Sequence, residues 1–145
     1  MVEYHSIQQR GFHNTYDENG NINGFEFRFV PNYYKGLWFT QCRFGNVTVD
    51  DEVFDRDSLI FEYNGLEYTR EEMFDLNKYW QFRTPLTVKI RRAGGLPIGY
   101  HNVQMEFGWV LNYNGALEAE PDGSGLGNMA HMFGTHNERR MLLCR

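Results

Sequence analysis

The sequence predicts an all-β chain: an antiparallel β-sandwich with one short helix and an irregular C-terminal extension. Three observations carry this. Apolar and polar residues alternate with period two over several short runs. Clusters of Gly, Asn, Asp and Pro fall between those runs. Aromatics make up 17% of the 145 residues, with 12 Phe, 9 Tyr and 3 Trp, a composition that suits pleated, half-buried surfaces.

The elements follow in chain order. A strand around Phe12 to Tyr16 is expected to form a hairpin with a second, in which Phe25, Phe27 and Phe29 alternate with Glu26 and Arg28. Asp17 to Gly24 lies between them and is rich in residues that tolerate positive φ. A strand from near Thr40 ends at Val47 and Val49, and Asp50-Asp51 turns it. Leu59, Phe61 and Tyr63 form another strand. Asn64-Gly65 is a two-residue hairpin signal, and Leu66 to Tyr68 returns from it. Thr69-Arg70-Glu71-Glu72 fits a capping box, with Thr69 as N-cap and Glu72 reaching back. The helix it opens runs roughly from Arg70 to Leu76.

Leu86, Val88 and Ile90 share one face of the next strand. The longest run follows, with Val103, Met105, Phe107, Trp109, Leu111 and Tyr113 on one face and Asn102, Gln104, Glu106 and Asn112 between them. A helix would scatter those six apolar residues around its circumference. The two strands are read as an antiparallel pair joined by the turn-rich segment from Ala93 to Gly99. Seven or eight short strands with turns between them point to a sandwich or a small barrel, and their very different lengths favour the sandwich.

Strand periodicity ends at Asn114. The organisation expected is therefore a sandwich domain over residues 1–113 and a C-terminal extension over 114–145. The extension is Gly-rich and acidic from Glu118 to Gly127. Then come Met129, Met132, Phe133, Met141, Leu142 and Leu143, too apolar for an idle tail. Either they fold back on the sandwich or they dock on another chain.

Net charge is −5 and the pI about 5.5, which argues against nucleic acid as a partner. The start of the chain lacks the pattern of a signal peptide, and no apolar run approaches the ~20 residues of a membrane helix. The expectation is a cytoplasmic chain with no membrane partner and with Cys42 and Cys144 reduced.

No catalytic residue and no metal ligand is assigned on this chain. Neither cysteine belongs to a zinc-spaced cluster. His131 and His136 match no metal motif, and His101 is placed on the polar face of its strand. The carboxylates Asp50, Asp51, Glu52, Asp55 and Asp57 sit in turn sequence, where Asp is favoured for backbone reasons. The aromatic stretch Tyr33-Tyr34-Lys35-Gly36-Leu37-Trp38-Phe39 exceeds what turn chemistry requires. It suits stacking on a sugar or flavonoid ring, or anchoring an interface. Tyr79-Trp80-Gln81-Phe82 is a second such cluster.

Gly24-Phe25-Glu26-Phe27, "PNYYKG" from Pro31, Val47-Thr48-Val49-Asp50, Tyr68 to Met73 and "RRAGGLPIG" from Arg91 occur in one order and spacing. Over about residues 10 to 113 the chain resembles the small (β) subunit of bacterial C-glycoside deglycosidases. The resemblance implies a hetero-oligomeric carbon–carbon lyase that removes a 3-oxo sugar from C-glycosides such as flavonoid C-glucosides. It implies no cofactor on this chain. A divalent metal, manganese by the resemblance, belongs to a TIM-barrel, sugar-isomerase-like α subunit. The contact residues expected are Tyr33, Tyr34, Trp38, Phe39, Met129, His131, Met132 and Phe133, facing partner or substrate. Two other readings stand beside this one: a stand-alone carbohydrate- or aromatic-binding module, and a self-contained enzyme using His131 or His136.

Overall fold

Among the described residues, alternation along the strands builds two five-stranded antiparallel sheets packed face to face. The computed structural model describes residues 5–31, 35–110, 129–131 and 137–145. The strands are β1 (Ile7–Tyr16), β2 (Ile22–Phe29), β3 (Leu37–Trp38), β4 (Cys42–Val49), β5 (Glu52–Phe54), β6 (Ile60–Tyr63), β7 (Leu66–Thr69), β8 (Tyr79–Trp80), β9 (Leu86–Arg91), β10 (Gly99–Val110), β11 (Met129–His131) and β12 (Glu138–Leu143). The one α-helix among the described residues, α1 (Arg70–Phe74), follows β7. The first sheet runs β1-β2-β9-β6-β7. The second runs β11-β10-β4-β5, with β12 on β10 beside β11. A two-stranded ribbon, β3-β8, stands apart.

The expected β1–β2 hairpin forms, with Asp17 Oδ1 accepting from the amides of Asn19 and Asn21 at its turn. The register of β1 jumps between Gln8 and His13. Gly11 lies in that bulge at φ +89°, with the Arg28 side chain where a Cβ would stand. Asn64 and Gly65 both take positive φ, as a type I′ turn demands. The capping box of α1 is present: Thr69 Oγ1 accepts from Glu72 N, and Glu72 Oε1 accepts from Thr69 N.

Phe25, Phe27 and Phe29 point inward from the first sheet, and Phe44, Val47, Met105 and Phe107 from the second. Phe29 meets Phe107 with centroids 4.9 Å apart, and Phe44 meets Phe61 at 4.7 Å. Edge-on and tilted ring pairs of this kind add ~0.5–1.5 kcal/mol each beyond their burial.

Two sequence expectations change. β9 and β10 are not paired: β9 lies between β2 and β6, and β10 between β4 and the β11/β12 edge. The connection from Arg92 to Ile98 is long enough to cross between layers, and both strands need an apolar face turned to the same core. The chain beyond 113 is also not irregular throughout. β12 pairs along the first half of β10 and buries Met141 and Leu143 completely, so these residues fold back on the sandwich. β12 then lies beside β1. The Gln9 side-chain amide donates to Leu142 O and accepts from Leu142 N, both at 2.9 Å, and Asn14 N donates to Arg145 O. Residues 111–128 and 132–136 lie outside the described residues.

Candidate functional site

The two aromatic clusters, about forty residues apart in sequence, meet as the β3-β8 ribbon. Leu37 pairs with Trp80 and Trp38 with Tyr79, and Phe39 N donates to Lys78 O at 3.0 Å. Alternation splits the rings between two jobs. Phe39 and Trp80 point inward, at 0% and 1% exposure. They stack with centroids 5.3 Å apart at 16°. Trp80 also lies within 6.3 Å of the Phe29, Phe44 and Phe107 rings. Its buried indole donates to Thr84 O at 2.6 Å, which meets the need of a ring N–H cut off from water. Tyr63 Oη accepts from Gln81 N at 2.9 Å and braces the segment from below.

On the outside, Trp38 is 38% exposed, Tyr79 36% and Phe82 47%. Trp38 and Tyr79 meet edge to face at 5.3 Å. The result is a set of exposed aromatic rings on a rigid, fully packed base. Gly36 permits the close approach: a Cβ there would stand 2.5 Å from Trp80 O and 2.6 Å from the Tyr79 ring.

The same end of the sandwich receives β11. Trp109, near the end of β10, pairs with Cys42 on one side and with His131 of β11 on the other. Cys42 follows the 3-10 turn Phe39–Gln41 directly, and its Sγ donates to Trp38 O at 3.5 Å. Topology therefore sets Trp38 and the strand carrying Met129 and His131 around one strand end. Of the expected contact residues, Trp38 is half-exposed. Phe39 is enclosed and serves as support, because the alternation that turns Trp38 out turns Phe39 in. Met129 and His131 fall in β11. Tyr33, Tyr34, Met132 and Phe133 lie outside the described residues, as does His136. Tyr79 and Phe82 were visible as a cluster in the sequence, but the pairing of Tyr79 with Trp38 was not. Two-residue strands carry too little periodicity to show a partner.

Other chemistry-bearing groups are held for structure. Burial pushes the Cys42 thiol far up, against the smaller pull of Arg43, so it is not a nucleophile. The buried Arg43 guanidinium donates to Thr40 O at 2.7 Å and Cys42 O at 2.9 Å and lies over the Phe74 ring. His101 is buried, contrary to the polar-face expectation. It shares parity with Val103 and Met105, so an unbroken strand turns it inward. Its Nδ1 lies 2.5 Å from Asp50 Oδ2 and its Nε2 2.6 Å from Pro97 O. A histidine–carboxylate pair needs a free second nitrogen to relay a proton to substrate. Here a backbone carbonyl occupies it, and the pair ties the β4–β5 turn to the β9–β10 connection. Burial alone would raise the Asp50 carboxyl. Hydrogen bonds from Asn102 N and His101 outweigh it and hold the carboxyl below its ordinary value.

Among the described residues no group of three or more His, Cys, Asp or Glu is placed to hold a metal ion. No helix among them is long and apolar enough to cross a membrane.

The profile of one protein family, C-glycoside deglycosidase beta subunit, matches residues 2–113. A C-glycoside deglycosidase beta subunit from Eubacterium cellulosolvens is 35% identical over 147 aligned positions, covering 98% of this chain and 99% of that protein. The chain belongs to the C-glycoside deglycosidase beta subunit family. The match to that protein extends past residue 113, so the C-terminal part that supplies β11 and β12 belongs to the shared sequence as well.

Proposed function

We propose that this chain is the beta subunit of a cytoplasmic carbon–carbon lyase that removes the 3-oxo sugar from C-glycosides, flavonoid C-glucosides among them. It works in a hetero-oligomer with a TIM-barrel, sugar-isomerase-like alpha subunit that carries a divalent metal, manganese by resemblance, and the base. A C–C glycosidic bond has no leaving-group oxygen to protonate, so two-carboxylate hydrolysis does not apply. A ketone at C3 acidifies the C2 proton; a base removes it, and the C1–aryl bond then breaks as the departing aryl carbon takes up a proton from an acid, which leaves the C1–C2 double bond on the sugar. The partner's metal would supply Lewis-acid stabilisation of the enolate oxygen.

In this reading the beta subunit docks by the β3-β8 end and walls the pocket there, excluding water from a reaction that passes through an enolate. The observation that carries it is the ribbon itself: two distant aromatic segments paired so that Trp38, Tyr79 and Phe82 face outward over a packed base. Interface cores favour such residues. Co-expression with the sugar-isomerase-like subunit tests the reading. The expected result is co-purification, and release of aglycone from a 3-oxo C-glucoside only when both chains are present. A chain that stays monomeric beside that subunit, with no aglycone released, rejects it.

The exposed edge-to-face pair of Trp38 and Tyr79 also favours a second reading, a module that binds a glycoside on its own. Calorimetry on the isolated chain decides. Binding heat lost in Trp38→Ala supports the module, and no heat with a panel of sugars and flavonoid glycosides removes it.

A further inference from the structure

Residues 35–43 and 78–84 carry Lys35, Arg43, Lys78 and Arg83 and no carboxylate, in a chain of net charge −5. The nearby acidic residues Glu71, Glu72 and Asp75 stand on or beside α1, where Glu72 is engaged in the cap. Arg43 is taken up inside the fold, and Lys78 Nζ donates to Tyr68 Oη at 3.0 Å. Arg83 differs. It is exposed, and among the described residues it makes no salt bridge. Its guanidinium lies 5.4 Å from the centroid of the exposed Phe82 ring. Its backbone holds φ +64°, a left-handed conformation that a side chain longer than glycine's disfavours. The tight turn closed by Thr84 N donating to Gln81 O at 3.1 Å accounts for that φ, but packing within this chain does not account for an exposed arginine placed over an exposed phenylalanine.

We infer that Phe82 and Arg83 form an anchor that enters an apolar hollow edged by carboxylates on the second subunit. The inference rests on the reading of this chain as one subunit of a two-subunit deglycosidase. Stacking leaves the planar guanidinium fork free to take a carboxylate in two hydrogen bonds. It also fixes the side chain before the partner arrives, which lowers the ordering cost of association. Aromatic and arginine anchors at the centre of an interface carry most of its affinity.

The experiment measures affinity between the full chain and the second subunit by surface-immobilised titration. Arg83→Glu and Phe82→Ala should each weaken binding at least about tenfold, with Arg83→Lys between them and the wild type. Raising salt from about 0.05 M to about 0.5 M should weaken the wild type several-fold and Arg83→Gln much less. Arg83→Gly separates docking from folding. It relieves the backbone, so its thermal midpoint should hold or rise while its affinity falls. A midpoint and an affinity that fall together would assign Arg83 a structural role and reject the anchor. Wild-type affinity in the Arg83→Glu and Phe82→Ala complexes would also reject the anchor, while the two-subunit reading stands. A wild-type chain that does not bind at all overturns that reading, and the anchor with it.

Discussion

Gly36→Ala tests whether the closed ribbon holds the aromatic end in place. Gly36 is buried, and its new Cβ would stand 2.5 Å from Trp80 O, about half an ångström inside the 3.0 Å that real Cβ atoms respect. The Tyr79 ring, 2.6 Å away, can swing aside, but the Trp80 carbonyl is strand backbone. Relief therefore requires β3 and β8 to separate, which strains the Leu37–Trp80 pairing and the Phe39 N to Lys78 O bond. Overpacking of this kind costs about 1–3 kcal/mol. For a domain of this size that lowers the thermal midpoint by roughly 3–10 °C. Thermal unfolding followed by near-ultraviolet circular dichroism reads both effects, because the Phe39–Trp80 stack contributes to the aromatic signal. The substitution should also weaken association with the second subunit, since Trp38 and Tyr79 shift with the strands. A midpoint within about 1 °C of the wild type, with an unchanged aromatic spectrum, would refute the argument that the closed ribbon sets these rings.

Asp50 gives a prediction in pH. Its folded carboxyl lies below its ordinary value of 3.8, so its contribution to stability is present above the unfolded pKa and is lost as pH falls through the lower folded value. Asp50→Asn should therefore be less stable than the wild type at neutral pH, and the gap should close below about pH 4; a gap that is constant with pH in thermal melts contradicts this. The cysteines give a chemical one. Cys144 is exposed and Cys42 buried, so a thiol reagent should titrate one group at once in the native chain and the second only in denaturant. Two fast groups would show that the Cys42 site opens readily.

The strands were legible where alternation ran long. β2, β9 and β10 show their inward faces in the sequence because five or more residues repeat one pattern. The turn chemistry of Asn64-Gly65 and the cap at Thr69 were equally plain, since each follows from a local backbone requirement. Pairing was less legible. Nothing in Leu86 to Arg91 says whether the next strand lies beside it or across the core, and the structure puts it across. β12 was missed because Met141 and Leu143 alternate over too few residues, directly after the charged run Glu138-Arg139-Arg140. At the candidate site the residue types were visible, yet the role of each was not. Trp38 and Phe39 look alike in sequence, and only the ribbon decides that one faces outward and the other supports it.

Area limits what the ribbon can do alone. Large aromatics bury roughly 150–250 Å² each, and Trp38, Tyr79 and Phe82 are between 36% and 47% exposed. Together they offer roughly 250 Å² to a partner, well short of the ~800 Å² per side of an ordinary stable interface. If the ribbon docks, it does so as the anchor of a larger contact, and surface beside it must supply the remainder. The topology indicates where that surface begins: β11 lies on the other side of the β10 end from Cys42 and the turn that follows Trp38. A single substitution on the ribbon should then cost affinity on the scale of one hot spot, while the surrounding contact still holds the subunits in register.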